Sequence, residues 1–235
     1  MGATILVPFE LPDPEPLSPV LIEDLSSLDI VVLGHYGLPE QTPPTAARSQ
    51  FEEGARETLE GLAAEFEEAG AQVTTRLVFG RDRRKTMDRI AIEEDCDAEL
   101  DPAPTDGIER ILVPLPNVTG LSRLPEFVRV LCEESTREVT LFHVAEAGER
   151  VADGEEMLRA AREEMLREGF DPAEVDTLIV EGDEHDDEIL RMAEEYDAVV
   201  MYQAEPALSD RILGTLPDAI ATRTGDPVIV VRRDY

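Results

Sequence analysis

Short apolar-rich runs alternate with longer stretches whose apolar residues recur every three or four positions, from one end of the chain to the other. Thr4–Phe9, Ile30–Leu33, Val73–Phe79 and Asp97–Leu100 are runs of strand length, followed later by Ile111–Leu115, Val139–Val144, Thr177–Val180, Ala198–Met201 and Val228–Val231. Ala198–Met201 and Val228–Val231 are apolar without in–out alternation, as a sheet covered on both faces demands, so these strands are predicted to be parallel and joined by a crossover helix. Helices are predicted at Ser18–Leu28, Thr45–Ala69, Thr86–Glu94, Arg123–Leu131, Glu155–Arg167, Asp186–Glu195 and ahead of Gly225 and Pro227. The longest shows the pattern best: Phe51, Ala55, Leu59, Leu62, Ala63 and Phe66 share one face, acids lie between them, and Gly70 is the stop. The proline-rich L-P-D-P-E-P that follows the first strand can be neither helix nor ladder, and the run Asp97–Leu100 leads straight into D-P-A-P at Asp101–Pro104, where the first half stops.

The order restarts at Glu109, and it restarts in letters as well as in elements. I-L-V-P at Ile5 recurs at Ile111, F-G-R-D at Phe79 faces E-G-D-E at Glu181, and E-E-D-C-D-A at Glu93 faces A-E-E-Y-D-A at Ala193. Such self-similarity at a spacing of about 100 residues predicts an internal repeat. Two domains are expected, residues 1–105 and 106–235, both α/β with a doubly wound parallel sheet. The first is truncated, because only the second carries the final loop, helix and strand.

Charge narrows the setting. Twenty-one Lys and Arg stand against 53 Asp and Glu for a formal net charge of -32, while 42% hydrophobic content still supports a core. The acids are dispersed and Lys85 is the single lysine, a composition suited to molar salt, where the Debye length falls to about 3 Å. This balance argues against nucleic acid as a partner, since a nucleic-acid footprint needs clustered Lys and Arg. The nearest approach, R-D-R-R-K at Arg81–Lys85, reads as a solvated helix start. No apolar run approaches a membrane span, and Met1–Phe9 lacks the basic start of a signal peptide, so a cytoplasmic location is expected. Cys96 and Cys132 have no second ligand at metal spacing and read as small buried hydrophobes.

Candidate chemistry is sparse. The chain has three histidines, His35, His143 and His185, and no Gly-x-Ser-x-Gly elbow. His185–Glu188, H-D-D-E, reads as a helix start whose acids favour the dipole, and His143 as a hydrogen-bonded core histidine. Gly34-x-x-Gly37 after the second strand reads as a turn. No catalytic residue and no metal site are predicted.

The element order, with I-L-V-P opening, F-H-V in the second strand, Y-D-A-V-V-M in the fourth and D-P-V-I-V-V-R closing, resembles the universal stress protein family. The resemblance covers nearly all of Gly107–Arg232 and, more weakly, Ala3–Leu100, in the manner of tandem members from halophilic archaea. It implies a Rossmann-like, adenine nucleotide alpha hydrolase-like fold, and ATP or another adenine nucleotide as the ligand to test. Nucleotide-binding members continue their fourth strand into Gly-x-x-Gly, nine residues, then Gly with Ser or Thr, so that backbone amides reach the phosphates. Here Tyr202 and Glu205 take the places of the loop glycines, Pro206 removes a further donor, and Gly214-Thr215 remain. The acid that holds the ribose is replaced by Pro116, whereas the first half keeps Glu10 there but has no room for a phosphate loop before Asp101–Pro104. The implied cleft would be lined by Pro114, His143, Val144, Tyr202, Gly214 and Thr215. Two functions follow: a noncatalytic stress-response module acting through protein partners with a degenerate nucleotide loop, or a nucleotide-dependent switch or weak hydrolase. The halves are expected to form an intramolecular pseudo-dimer, open to further homodimerisation.

Overall fold

The computed structural model describes residues 2–39, 43–103, 105–115, 123–133, 137–145, 148, 150–182, 184–203 and 216–232. They form two compact units, Met1–Leu100 and Asp101–Tyr235. The first contains β1 (Thr4–Leu11), α1 (Pro19–Asp24), β2 (Asp29–Gly37), α2 (Pro44–Glu68), β3 (Gln72–Gly80), α3 (Arg83–Glu93) and β4 (Ala98–Asp101). The second contains β5 (Arg110–Pro114), α4 (Leu124–Leu131), β6 (Glu138–Ala145), α5 (Val151–Arg167), β7 (Val175–Glu181), α6 (His185–Ala193), β8 (Ala198–Tyr202), α7 (Leu216–Thr224) and β9 (Val228–Val231).

Every strand pairing within the units is parallel, in the order β3-β2-β1-β4 for the first and β7-β6-β5-β8-β9 for the second. The near-continuous apolar strands bury both faces. Val31 and Leu33 pack on Ile90 and Ala91 of α3, while the intervening face carries Tyr36 and Leu77 against Ala47 and Ala55 of α2. In the second unit α4 lies beside α5 and α6 beside α7. Leu112, Phe142, Val144, Val199 and Val228 meet Ile189, Met192 and Ile220 on the α6–α7 face. Helix α4 buries Leu124, Phe127, Val128 and Leu131 in two turns, each worth about 1.5–3 kcal/mol of apolar transfer. Gly70 and Gly169 follow α2 and α5 with φ of 102° and 103°, so each helix ends where only glycine turns left-handed at no steric cost.

The Asp-Ala pair shared by the two halves has a definite task. Asp97 Oδ2 accepts from Thr4 N at 2.8 Å and Asp197 Oδ2 from Arg110 N at 2.7 Å. Each aspartate thereby holds the first strand of its unit in register with the fourth.

One expectation is corrected. Gly34–Gly37 is no turn but the last part of β2, with Gly34 opposite Phe9, His35 opposite Glu10 and Tyr36 opposite Leu11. The pairing partner β1 runs on to Leu11, and that extends β2. Gly34 is glycine for a packing reason: a Cβ there would stand 2.8 Å from Leu11 Cδ1 and 3.1 Å from Leu59 Cδ1. The second unit reverses the sizes. At the matching register β6 carries His143, and the glycine is Gly154 on α5, whose Cβ would meet His143 Cδ2 at 2.8 Å and Ile179 Cδ1 at 2.7 Å.

Candidate functional site

The strand order reverses between the parallel neighbours β5 and β8, since β5 leads outward through α4 to β6 and β8 leads the other way through α7 to β9. In doubly wound sheets the carboxyl ends of two such strands bound the ligand crevice. Pro114 is the last residue of β5 and is buried. His143, one residue from Val144 near the end of β6, is 1% exposed, and its Nδ1–H donates to the Leu115 carbonyl at 2.9 Å. The carbonyl can only accept, which fixes the proton on Nδ1. Val144 points to the opposite face, inside the α6–α7 core. Both side chains belong to the packed interior.

Tyr202, at the end of β8, stands apart because it is partly exposed. Its hydroxyl reaches Leu124, the first residue of α4, and accepts from that backbone N–H at 3.4 Å. The phenol therefore spans from β8 to the start of the helix that follows β5, and it takes up an amide at a helix N-terminus, where an anionic ligand would be received. Gly214, Thr215, Glu205, Pro206 and Pro116 lie outside the described residues.

A second polar group, at the carboxyl ends of the first unit's strands, escaped the sequence reading. Glu10 at the end of β1 sets Oε2 3.4 Å from His35 Nδ1 and Oε1 2.9 Å from Arg83 Nε. The Arg83 contact is between charges only, since the buried Nε–H finds no hydrogen-bond geometry. His35 is 2% exposed and its Nε2 has no partner. Asp82 caps α3, accepting from Lys85 N at 3.0 Å, and that bond together with the Lys85 ammonium draws its carboxyl below the usual range. Gly80, Arg81, Asp82, Lys85, Thr86 and Arg89 line an open hollow of about 470 Å³. In the sequence Glu10, His35 and Arg83 look unrelated. The signal that joins them is strand register, which places Glu10 beside His35 once I-L-V-P and the following strand are paired in parallel.

Elsewhere the polar chemistry is structural. His185 opens α6, with Asp186, Asp187 and Glu188 in its first turn, and its bond to Asp186 lowers that carboxyl's pKa. Among the described residues no group of three or more His, Cys, Asp or Glu is arranged to hold a metal ion. No described helix is long and apolar enough to cross a membrane. Cys96 is buried and Cys132 only partly so; burial pushes the Cys132 thiol up to about 11.

Residues 107–232 match the profile of a family described as the universal stress protein family. Across the whole chain the fold is similar to that of a universal stress protein from Archaeoglobus fulgidus DSM 4304, at 20% identity and a TM-score of 0.69, with 98% of this chain and 96% of that one covered. It is also similar to a putative universal stress protein from Pseudomonas aeruginosa UCBPP-PA14, at 14% identity and a TM-score of 0.55, covering 98% and 93%. The cytoplasmic domain of a prokaryotic cation chloride cotransporter shares the architecture at 13% identity and a TM-score of 0.53, over 98% and 95%. At these identities the likeness is one of fold. No curated protein matches.

Proposed function

The chain belongs to the universal stress protein family, and from that premise we propose that it is a noncatalytic stress-response module whose nucleotide crevice is closed. The observation that carries this reading is Tyr202, whose hydroxyl lies 3.4 Å from Leu124 N across the ends of β8 and β5. A side chain stands where a glycine would let backbone approach phosphate, and it engages an amide of the helix N-terminus. The loop sequence supports the same reading, because Glu205 brings a carboxylate and Pro206 removes a donor. In this reading the module acts through protein contacts.

The first unit is, in this reading, a shortened second copy of the domain: its strand order matches that of β7-β6-β5-β8, and it has no counterpart of α7 and β9 before Leu100. The acidic surface fits a salt-rich cytoplasm. The alternative, a nucleotide-dependent switch or weak hydrolase, draws its support from Gly214-Thr215, the surviving part of the loop pattern. Calorimetric titration of ATP, ADP and AMP into the full chain in molar KCl decides between them. The closed-crevice reading expects no binding heat; micromolar binding of any of the three overturns it in favour of the switch.

A further inference from the structure

We propose that the first unit's edge strand is a self-association surface: β3 pairs with β3 of a second copy of this chain, antiparallel about a two-fold axis, with the two α2 helices side by side on one face of the joined sheet. The surface is independent of the crevice in the second unit. Among the described residues β3 pairs with β2 alone, so the backbone groups on its other side have no strand partner. Thr74, Thr75 and Arg76 are exposed. Folded proteins blunt such an edge with charge, proline, a bulge or a short strand. β3 runs nine residues in unbroken register with β2 and contains neither proline nor acid, in a chain where 53 of 235 residues are acids. Its one charge, Arg76, is matched within the unit, Nε donating to Glu94 Oε1 at 2.7 Å. The second unit treats its corresponding edge differently. β7 pairs with β6 alone, carries Asp176 and Glu181, and has Glu174 just before it, so two copies meeting there would crowd like charges.

What fits the open edge is set by its own sequence. A two-fold axis perpendicular to the sheet places one residue opposite its own copy and keeps like faces together. Set at Thr75, it brings Val73 opposite Leu77 on the α2 side and Thr74 opposite Arg76 on the other. Val73 and Leu77 are half-buried, so each has apolar surface left to cover, and directly opposed pairs of this kind stabilise a sheet. Moving the axis by one residue to Arg76 would oppose two guanidinium groups, which is disfavoured.

The helix above the strand selects the same partner. Arg48 Cζ lies 5.8 Å from the Phe79 ring centroid, which puts this side of α2 over β3. From there Arg48, Glu52, Arg56 and Glu60 follow at four-residue spacing, so they share one strip of the helix with alternating signs. Glu52 lies 3.9 Å from Arg48 and 3.0 Å from Arg56. Read backwards, the row has the opposite sign at every place. An antiparallel copy therefore sets Arg48 against Glu60 and Glu52 against Arg56, whereas a parallel copy would set each charge against its like. A strip of acids alone, in keeping with a net charge of -32, would repel its own copy. In molar salt the Debye length is about 3 Å, so this match counts only between helices in contact, which the pairing of β3 with itself provides.

The test is sedimentation of the full chain in molar KCl at concentrations from about 1 μM to 1 mM. A dimer is expected. Thr75→Glu opposes two carboxylates across the axis at an exposed position and should weaken the dimer about tenfold or more, with the circular dichroism of the fold unchanged. Thr75→Cys gives an independent reading: directly opposed Cβ atoms lie about 4.5–5.5 Å apart, so a short bis-maleimide should join it to its copy. Thr177→Cys, at an exposed position on β7, should not be joined, nor should the wild type, whose Cys96 is buried and Cys132 partly so. Glu52→Arg should weaken the dimer several-fold, and adding Arg56→Glu should restore it, because the row again has opposite signs when read backwards. A chain monomeric throughout the range, a dimer indifferent to Thr75→Glu, or cross-linking of Thr177→Cys in preference to Thr75→Cys would overturn the interface. Failure of Arg56→Glu to restore the dimer would overturn the contact between the helices.

Discussion

Tyr202 Oη accepts a hydrogen bond from Leu124 N at 3.4 Å, joining the end of β8 to the first residue of α4. A bond this long contributes little stability, so Tyr202→Phe should cost less than about 1 kcal/mol of unfolding free energy. Its consequence for binding is larger. Tyr202→Gly with Glu205→Gly removes the ring and a carboxylate, and the pair should turn an ATP titration without heat into one with measurable binding. One carboxylate about 4 Å from a phosphate repels it by roughly 4 kcal/mol at an effective dielectric of 20, and a quarter of that after screening is still several-fold in affinity. The gain stops short of a full site because Pro116 remains where the ribose acid belongs. A double variant as inert to ATP as the wild type would show that something other than these two side chains closes the crevice.

Salt should stabilise this protein. Exposed arginines are largely matched to acids, as in Arg56–Glu52, Arg89–Glu93, Arg150–Asp153 and Arg223–Glu194, and exposed pairs of this kind contribute about 0–1 kcal/mol each. With 53 acids to 21 basic residues, most carboxylates must remain unmatched, and their mutual repulsion weakens as ions screen it. Raising KCl from about 0.1 M to 2 M should therefore increase stability by at least 1 kcal/mol, about 2–4 °C in Tm at this size. A melting temperature that is flat or falling over the range would contradict the reading of the surface as salt-adapted.

The parallel architecture was legible because strands such as Val228–Val231 carry no polar alternation and helices such as α2 carry a long apolar stripe. Strand ends were less so. β2 continues through Gly34 and His35 because β1 is there to pair with, a cause that lies 25 residues away in sequence and leaves no local mark. His143 was legible as a hydrogen-bonded core histidine, but what each side chain packs against was not: His143 lies under Gly154 and its neighbour Val144 against the α6–α7 core. The Glu10–His35–Arg83 group was hidden for the same reason, since it draws one residue from each of three elements.

Cys132 offers a chemical check on burial. Desolvation disfavours its thiolate, Glu174 adds to the effect, and Arg137 opposes it, leaving the thiol at about 11 against an ordinary 9.0. Only the thiolate reacts, so at pH 8 alkylation of the native protein should run about a hundredfold slower than that of the urea-unfolded chain. The sign gives the pH profile as well: the rate at Cys132 should still be climbing at about pH 10, where an ordinary thiol has levelled off. Labelling at the unfolded rate at pH 8 would place this thiol in water.

Glycines separate two kinds of helix position, and alanine substitution should give opposite signs at them. In α2, a Cβ at Gly54 or Gly61 would meet nothing within 4 Å, and neither residue has a left-handed backbone. Alanine there removes the entropic cost of a mid-helix glycine, so each substitution should stabilise by about 0.5–1 kcal/mol. In α5, Gly154 lies against the His143 ring and Ile179, with a Cβ closer than 3 Å to both. Neither neighbour yields easily: His143 is held by its bond to the Leu115 carbonyl, and Ile179 is a branched side chain on β7. Gly154→Ala should therefore cost about 1–3 kcal/mol by overpacking, more than the helix propensity it gains. Urea unfolding of the three variants in one molar KCl buffer measures all of these. A stabilised Gly154→Ala would mean that α5 moves off the sheet freely, and the close fit of glycine to histidine would then have no energetic weight.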